Sequence, residues 1–151
     1  MTGGLTGDGR PSLEALRLRY PGAVGFTFGD GPELCARLLD LVRTGRKTAT
    51  CGALGDYASA DGDGPGEPRP IPGRHDVALH WDGRAALVIE TTEVFVCRFD
   101  EVTWDFARDE GETDDLDGWR AAHRSYFERT GAFAPDMALL CERFRLVEDL
   151  G

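Results

Sequence analysis

The chain has no apolar run near the ~20 residues needed to cross a bilayer. Met1 to Arg10 carries neither the basic start nor the apolar centre of a signal peptide. Together these absences point to a cytoplasmic protein and away from membranes. Histidine is scarce, at three, and none stands in a ligand-type pair. The four cysteines, Cys35, Cys51, Cys97 and Cys141, show no CxxC spacing. Reduced core thiols are expected rather than disulfides or zinc ligands, with no metal and no other cofactor. Basic charge is short as well: 17 Lys and Arg against 27 Asp and Glu leave a net charge of −10. Gripping a long polyanion requires a basic surface, since phosphate neutralisation supplies most of that affinity. Duplex DNA is therefore not an expected partner, whereas a local pocket for a nucleoside or short RNA is allowed.

What is present suffices for one domain. At 151 residues, 41% hydrophobic and 29% charged, the composition is that of a soluble globular protein with a real core. The Gly-rich stretch 1–10 is expected to be a disordered tail, leaving 11–151 as a single domain. Ser12 caps a short helix running to Arg19, closed by Pro21-Gly22. Asp30-Gly31-Pro32-Glu33 opens a second helix, with proline in the first turn and an acid at the positive dipole end. Leu34, Leu38, Leu41 and Val42 recur at helical spacing as far as Thr44, and Gly45 stops the run.

Thr48 to Cys51 begins a sheet. From Tyr57 to Gly73 the chain is rich in Gly, Pro and Asp and is expected to form a mobile loop, a flap or rim over whatever the preceding strand presents. Asp82-Gly83 is a hairpin signal between strands at Asp76 to Trp81 and Ala85 to Phe99, the second bending near Thr91-Thr92. Asp100 is expected to cap a short helix holding Val102 and Phe106, and Leu116 to Arg129 reads as a longer helix. Met137 to Val147 closes as a strand, with Leu140, Glu142, Phe144 and Leu146 alternating against Leu139, Cys141 and Arg143. The pattern predicts an α+β domain, a small mixed or antiparallel barrel with flanking helices. Periodicity alone does not separate a barrel from an open sheet.

Three runs carry candidate chemistry. Gly45-Arg46-Lys47-Thr48-Ala49-Thr50 places a lysine and two hydroxyls where a helix passes into a β-branched strand. It also fits a plain glycine cap with basic residues at the negative helix end. Regular alternation separates Lys47 from Thr50, so a bend at the strand entry would be needed to bring them together. Arg108-Asp109-Glu110-Gly111-Glu112 is either a solvated acidic connection or, with Gly111 allowing a sharp turn, a means of pointing Glu110 inward. A carboxylate beside an ammonium keeps both charged, while desolvation pushes both towards neutrality. In the third run Trp119, His123, Tyr126 and Phe127 share one helix face, and Arg120 and Arg124 lie beside it, able to reach a phosphate.

In this order the pieces resemble the ASCH domain, a PUA-like barrel family. The matching elements begin with Phe28-Gly29-Asp30 and Gly45 to Thr50, followed by Asp82-Gly83-Arg84 and Ile89 to Val94. Phe99 to Val102, Glu110-Gly111-Glu112, Trp119-Arg120 with His123 and Phe127, and Cys141 to Phe144 complete the set. The resemblance spans roughly Phe26 to Val147 and implies a barrel with a cleft for RNA or a nucleoside. Compact bacterial members include amidohydrolases acting on acetylcytidine, and their lysine, threonine and glutamate match Lys47, Thr50 and Glu110 here. Larger members resemble a metal-independent ribonuclease that implicates the same lysine. The chain departs from the pattern at Ala58 to Gly66 and at Gly73 to Asp76, which places substrate choice at the rim.

Three functions follow from the resemblance. In the first, Thr50 attacks the acyl carbon of an N4-acylated cytidine. Lys47 activates it or stabilises the oxyanion, and Glu110 protonates the departing amine. In the second, Lys47 steadies a phosphorane while Glu110 or His123 moves the proton during cleavage of single-stranded RNA. In the third, the cleft binds RNA without chemistry. The expected substrate contacts are Arg46, Thr48 and Tyr57 near the strand, and Glu112, Trp119, Arg120 and His123 beyond it.

Overall fold

The computed structural model describes residues 9–59 and 61–151. Residues 1–8 of the expected tail, and Ala60 in the expected loop, lie outside the described residues. Arg10, at the tail's end, donates to the Ala85 carbonyl at 2.6 Å and to the Gly151 carbonyl at 2.5 Å.

Among the described residues the sheet is mixed and has five strands: β1 (Gly25–Phe26), β2 (Ala49–Ala53), β3 (His75–Leu79), β4 (Ala85–Arg98) and β5 (Ala138–Asp149). Their spatial order is β1-β3-β4-β5-β2, with β1 parallel to β3 and every other pair antiparallel. The Asp82-Gly83 hairpin joins β3 to β4, and the register slips between Thr91 and Glu93, where the bend was expected. Such a bulge curls the long strand and swings its ends around the core. The curl stops short of closure. The terminal strands β1 and β2 do not pair, so the expected barrel is an open sheet with a seam. β1 is only two residues long, too short to extend a ladder across to β2.

Among the described residues four α-helices cover the sheet: α1 (Leu13–Arg19), α2 (Pro32–Arg43), α3 (Trp104–Glu110) and α4 (Leu116–Thr130). The Ser12 hydroxyl caps α1 by accepting from the Ala15 amide at 3.1 Å. Cys35, Leu38, Leu39 and Val42 of α2 pack with Phe28, Leu87, Ile89 and Phe144. On the other face Phe106, Trp119 and Phe127 of α3 and α4 pack with Ala49, Leu139 and Cys141. Residues Ala85 to Ile89 of β4 are buried on both faces, as a central strand with a continuous apolar run should be.

One expectation changes in detail. Asp100 does not cap α3: it lies in a 3-10 turn, Phe99–Glu101, and pairs with Arg98, and Thr103 stands at the start of the helix. The segment after β2 folds back on itself. The Ala58 amide donates to the Glu67 carbonyl at 2.8 Å, and Glu67 returns the bond to the Asp56 carbonyl at 3.0 Å. Among the described residues no helix is long and apolar enough to cross a membrane, and all four cysteines are free thiols.

Candidate active site

Two loops are laid backbone to backbone to build the site. Gly45, at φ +80°, ends α2 in the left-handed region, and the Arg46 and Lys47 amides both donate to the Leu41 carbonyl at 3.0 Å. Gly111, at φ +73°, ends α3 in the same way. A Cβ on Gly111 would lie 2.4 Å from the Arg46 carbonyl oxygen, so only glycine allows this approach. The Thr48 amide then donates to the Asp109 carbonyl at 2.7 Å. The glycines thus bring Lys47 and Glu110, far apart in the chain, side by side, each with 1% of its surface exposed.

Lys47 is the chain's one lysine. Its ammonium lies 2.8 Å from Glu112 Oε2 and 3.6 Å from Glu110 Oε1, and donates to the Glu110 backbone carbonyl at 3.5 Å. Glu110 Oε2 accepts the Trp119 indole N–H at 2.5 Å, and Oε1 lies 3.5 Å from His123 Nε2. The other imidazole nitrogen, Nδ1, is 3.0 Å from the Trp119 carbonyl. Both ring nitrogens therefore face oxygens that can only accept, an arrangement satisfied by the imidazolium.

Burial opposes each of these charges, and the partners outweigh it. Lys47 is pushed down by burial and up more strongly by Glu112 and Glu110, so it holds its proton above the ordinary lysine value. Glu110 is pushed up by burial and held below the ordinary carboxylate range by His123 and Lys47. His123 is lowered by burial and raised, on balance, by Glu110. The result is a quartet of two cations facing two anions, with Lys47, Glu110 and His123 buried and Glu112 at its edge, which is how charged groups survive in a core.

A cavity of about 540 Å³ opens beside this quartet, in the seam between β1 and β2. Phe26, Phe28, Tyr57 and Tyr126 give it apolar walls, and Thr50, Cys51, Glu110, Glu112, His123 and Glu142 give it polar ones. Being the edge strand, β2 presents successive residues of both faces, together with backbone groups unpaired by any strand. Cys51 Sγ is 3.6 Å from Glu110 Oε2, and burial, with Glu110, raises its thiol well above the ordinary range. Glu142 is pushed up to about 7 by burial, against the lowering effect of the Thr91 hydroxyl that donates to it at 2.6 Å. Cys51, Glu110 and His123 bring a thiol, a carboxylate and an imidazole within 4.8 Å of one another, a metal-type donor set. The Lys47 ammonium already fills the cation's place beside that carboxylate.

The ASCH domain model matches residues 25–148, most of the chain. The chain belongs to the ASCH domain family. The structure of an ASCH domain from Lactobacillus crispatus JV V101 is 31% identical, with a TM-score of 0.71 over 87% of this chain and 84% of that one. Protein EF3133 from Enterococcus faecalis V583 is 35% identical, with a TM-score of 0.70 over 84% and 77%. A mutant of the Zymomonas mobilis protein ZmASCH, 9% identical at a TM-score of 0.50 over 85% and 73%, shares the fold alone. No curated protein matches the chain.

In this ASCH domain the sequence-predicted residues divide. Thr50, Tyr57, Glu110, Glu112 and His123 line the cavity. Lys47 stands one layer behind, reaching the cavity through the two glutamates that hold it. Among the described residues no hydrogen bond joins the Thr50 hydroxyl to Lys47 or Glu110. Trp119 is wholly buried, and its polar edge is spent on Glu110. Arg46 and Thr48 are exposed outside the cavity, and Arg120 and Arg124 lie off it, Arg124 over the Phe133 ring. The arginines that do border the cavity are Arg37, Arg74 and Arg129, each turned to an oxygen of the protein: the Glu112 carbonyl, Asp76 and Asp30 respectively. Sequence reasoning missed Cys51 and Glu142. The signal for Glu142 was an acid standing within the apolar alternation of Leu140, Phe144 and Leu146.

Proposed function

We propose that this ASCH domain hydrolyses the amide of an N4-acylated cytidine, with the cavity as its active site. The observation that carries this reading is the charge-balanced quartet of Lys47, Glu110, Glu112 and His123, buried except at Glu112, opening on a cavity with a hydroxyl, Thr50, in its wall. A volume of about 540 Å³ suits a nucleoside, and aromatic walls suit a base. The outer edge of β2 offers backbone donors and acceptors to the base's polar rim. The Thr50 oxygen attacks the acyl carbon, and Lys47, set behind Glu110 and Glu112, offsets their negative charge beside the oxyanion that forms. His123, charged through its contact with Glu110, releases its Nε2 proton from the 3.5 Å contact with Glu110 Oε1 and hands it to the leaving exocyclic nitrogen. Glu110 thus works as an ionised anchor for that proton rather than as its source.

The charge distribution favours an uncharged nucleoside over RNA. Of the arginines at the cavity, Arg74 and Arg129 are paired with carboxylates and Arg37 donates to a backbone carbonyl, and the net charge is −10, so a phosphate chain would meet one guanidinium not offset by a carboxylate in an acidic protein. The test is a set of acylated cytidines and short single-stranded RNAs, given to wild type and to Lys47→Ala. Release of cytidine by wild type, lost in the variant, is the expected result. RNA cleavage abolished by the same substitution, with the acylcytidines untouched, would select a ribonuclease. RNA binding with no turnover of either substrate would select a binding module.

A further inference from the structure

We propose that Glu142 is the general base of this site, taking the proton from the Thr50 hydroxyl during attack and returning it when the acyl group leaves. The proposal rests on the hydrolytic reading above and deepens it. Thr50 and Glu142 are direct partners across the antiparallel β2–β5 ladder. Such partners share a sheet face with their Cβ atoms roughly 4.5–5.5 Å apart, within reach of a hydroxyl and a carboxylate. Both line the cavity. Glu142 Oε2 is fixed by the Thr91 hydroxyl at 2.6 Å. Its Oε1 takes no hydrogen bond from the described residues and is free to accept one.

The other candidates are committed elsewhere. Lys47 is held as an ammonium between two carboxylates. Glu110 is an ion pinned by Trp119, His123 and Lys47. Glu67 and Asp56, on the rim, are exposed. The groups acting on Glu142 are Thr91 on β4, Asp76 and Arg74 on and beside β3, Tyr57 on the loop, and Lys47. Arg74 is engaged twice by Asp76, at 2.8 and 3.0 Å, so among the described residues no free cation pairs with Glu142. Burial and Asp76 raise Glu142 to about 7, where a base for neutral pH should lie.

The steps balance. The Thr50 O–H proton moves to Glu142 as the Thr50 oxygen bonds to the acyl carbon. The C–N bond then breaks, with a proton from His123 going to nitrogen, and cytidine leaves. Neutral His123 next takes a proton from water, whose oxygen attacks the acyl-threonine ester. Glu142 returns its proton to the Thr50 oxygen as the carboxylic acid departs, restoring every group.

The experiment measures hydrolysis of N4-acetylcytidine against pH for wild type, Glu142→Gln and Thr91→Val. The wild-type kcat/KM should fall on the acidic side of neutrality as Glu142 gains its proton. Glu142→Gln should lose about 100-fold or more in kcat with little change in KM, and the acidic limb should vanish. Thr91→Val, lacking the hydroxyl that favours the ion, should move that limb up by about one pH unit. Wild-type turnover with Glu142→Gln retaining more than a tenth of it would overturn the base assignment and leave the hydrolase standing. So would a Thr91→Val limb that stays in place, and that result alone decides if Glu142→Gln fails to fold. No wild-type turnover would remove both the hydrolase and its base.

Discussion

Replacing Lys47 with methionine keeps most of the side-chain volume and deletes one charge from the quartet. At 3.6 Å from Glu110 and 2.8 Å from Glu112, and at an effective dielectric of ~20, the two attractions are roughly 4–5 and 6 kcal/mol. Desolvation of the ammonium offsets several kcal/mol of this. Two carboxylates would be left facing one imidazolium, and removing a single partner from a buried pair costs about 3–5 kcal/mol. The pH dependence has a definite sign. Glu110 is depressed in the native state, so its contribution is present above the unfolded carboxylate value of about 4.3 and lost as pH falls through the native one. In the variant Glu110 keeps His123 and the Trp119 indole but loses the ammonium, so that contribution shrinks. The gap between the two proteins should be widest near pH 7 and should narrow below about pH 4. Urea unfolding at pH 7 and pH 3, followed by tryptophan fluorescence, measures it. A difference under about 1 kcal/mol at pH 7, the range of an exposed pair, would refute the reasoning, as would an equal difference at both pH values.

Other substitutions probe the supports. Gly111→Ala forces a side chain into positive φ and onto the Arg46 carbonyl, and should cost at least about 2 kcal/mol by chemical denaturation. Trp119→Phe keeps the packing but removes the indole donor to Glu110; a hydrogen bond to a charged group is worth about 1.5–3 kcal/mol, which should appear as lost stability at pH 7. His123 has a raised native pKa, so its stabilisation is complete below the unfolded value of about 6.5 and is lost as pH rises through the higher native value. His123→Gln should therefore destabilise the protein more at pH 6 than at pH 9, as compared by thermal melts.

Much of the fold was legible because its signals are local. The Ser12 cap, the Pro32 start and the Gly45 stop each act within a turn of chain, and the elements fall where those residues put them. The Lys47–Glu110 meeting was legible as a condition, since both runs place a charged residue beside a chain-reversing glycine. The means of meeting was not legible: Gly111 packing on the Arg46 carbonyl is a contact between distant segments. Arg120 and Arg124 read as a phosphate lane because helix spacing shows which residues share a face, not what that face meets. Arg37, Arg74 and Arg129 come from three unrelated segments and meet only at the folded cavity. Closure of the sheet depends on whether the terminal strands are long enough to pair, which alternation within each strand does not encode. Cys51 reached the cavity because β2 is the edge strand, a fact of strand order.

The most direct test titrates Lys47 itself. As the chain's one lysine it gives a single signal in a lysine-labelled sample observed by NMR, with no assignment needed. That signal should remain an ammonium past pH 10.5, the ordinary value from which it is raised, and should shift saturably when N4-acetylcytidine is added. A signal that loses its proton below pH 10, or that ignores the acylated nucleoside, would contradict the account.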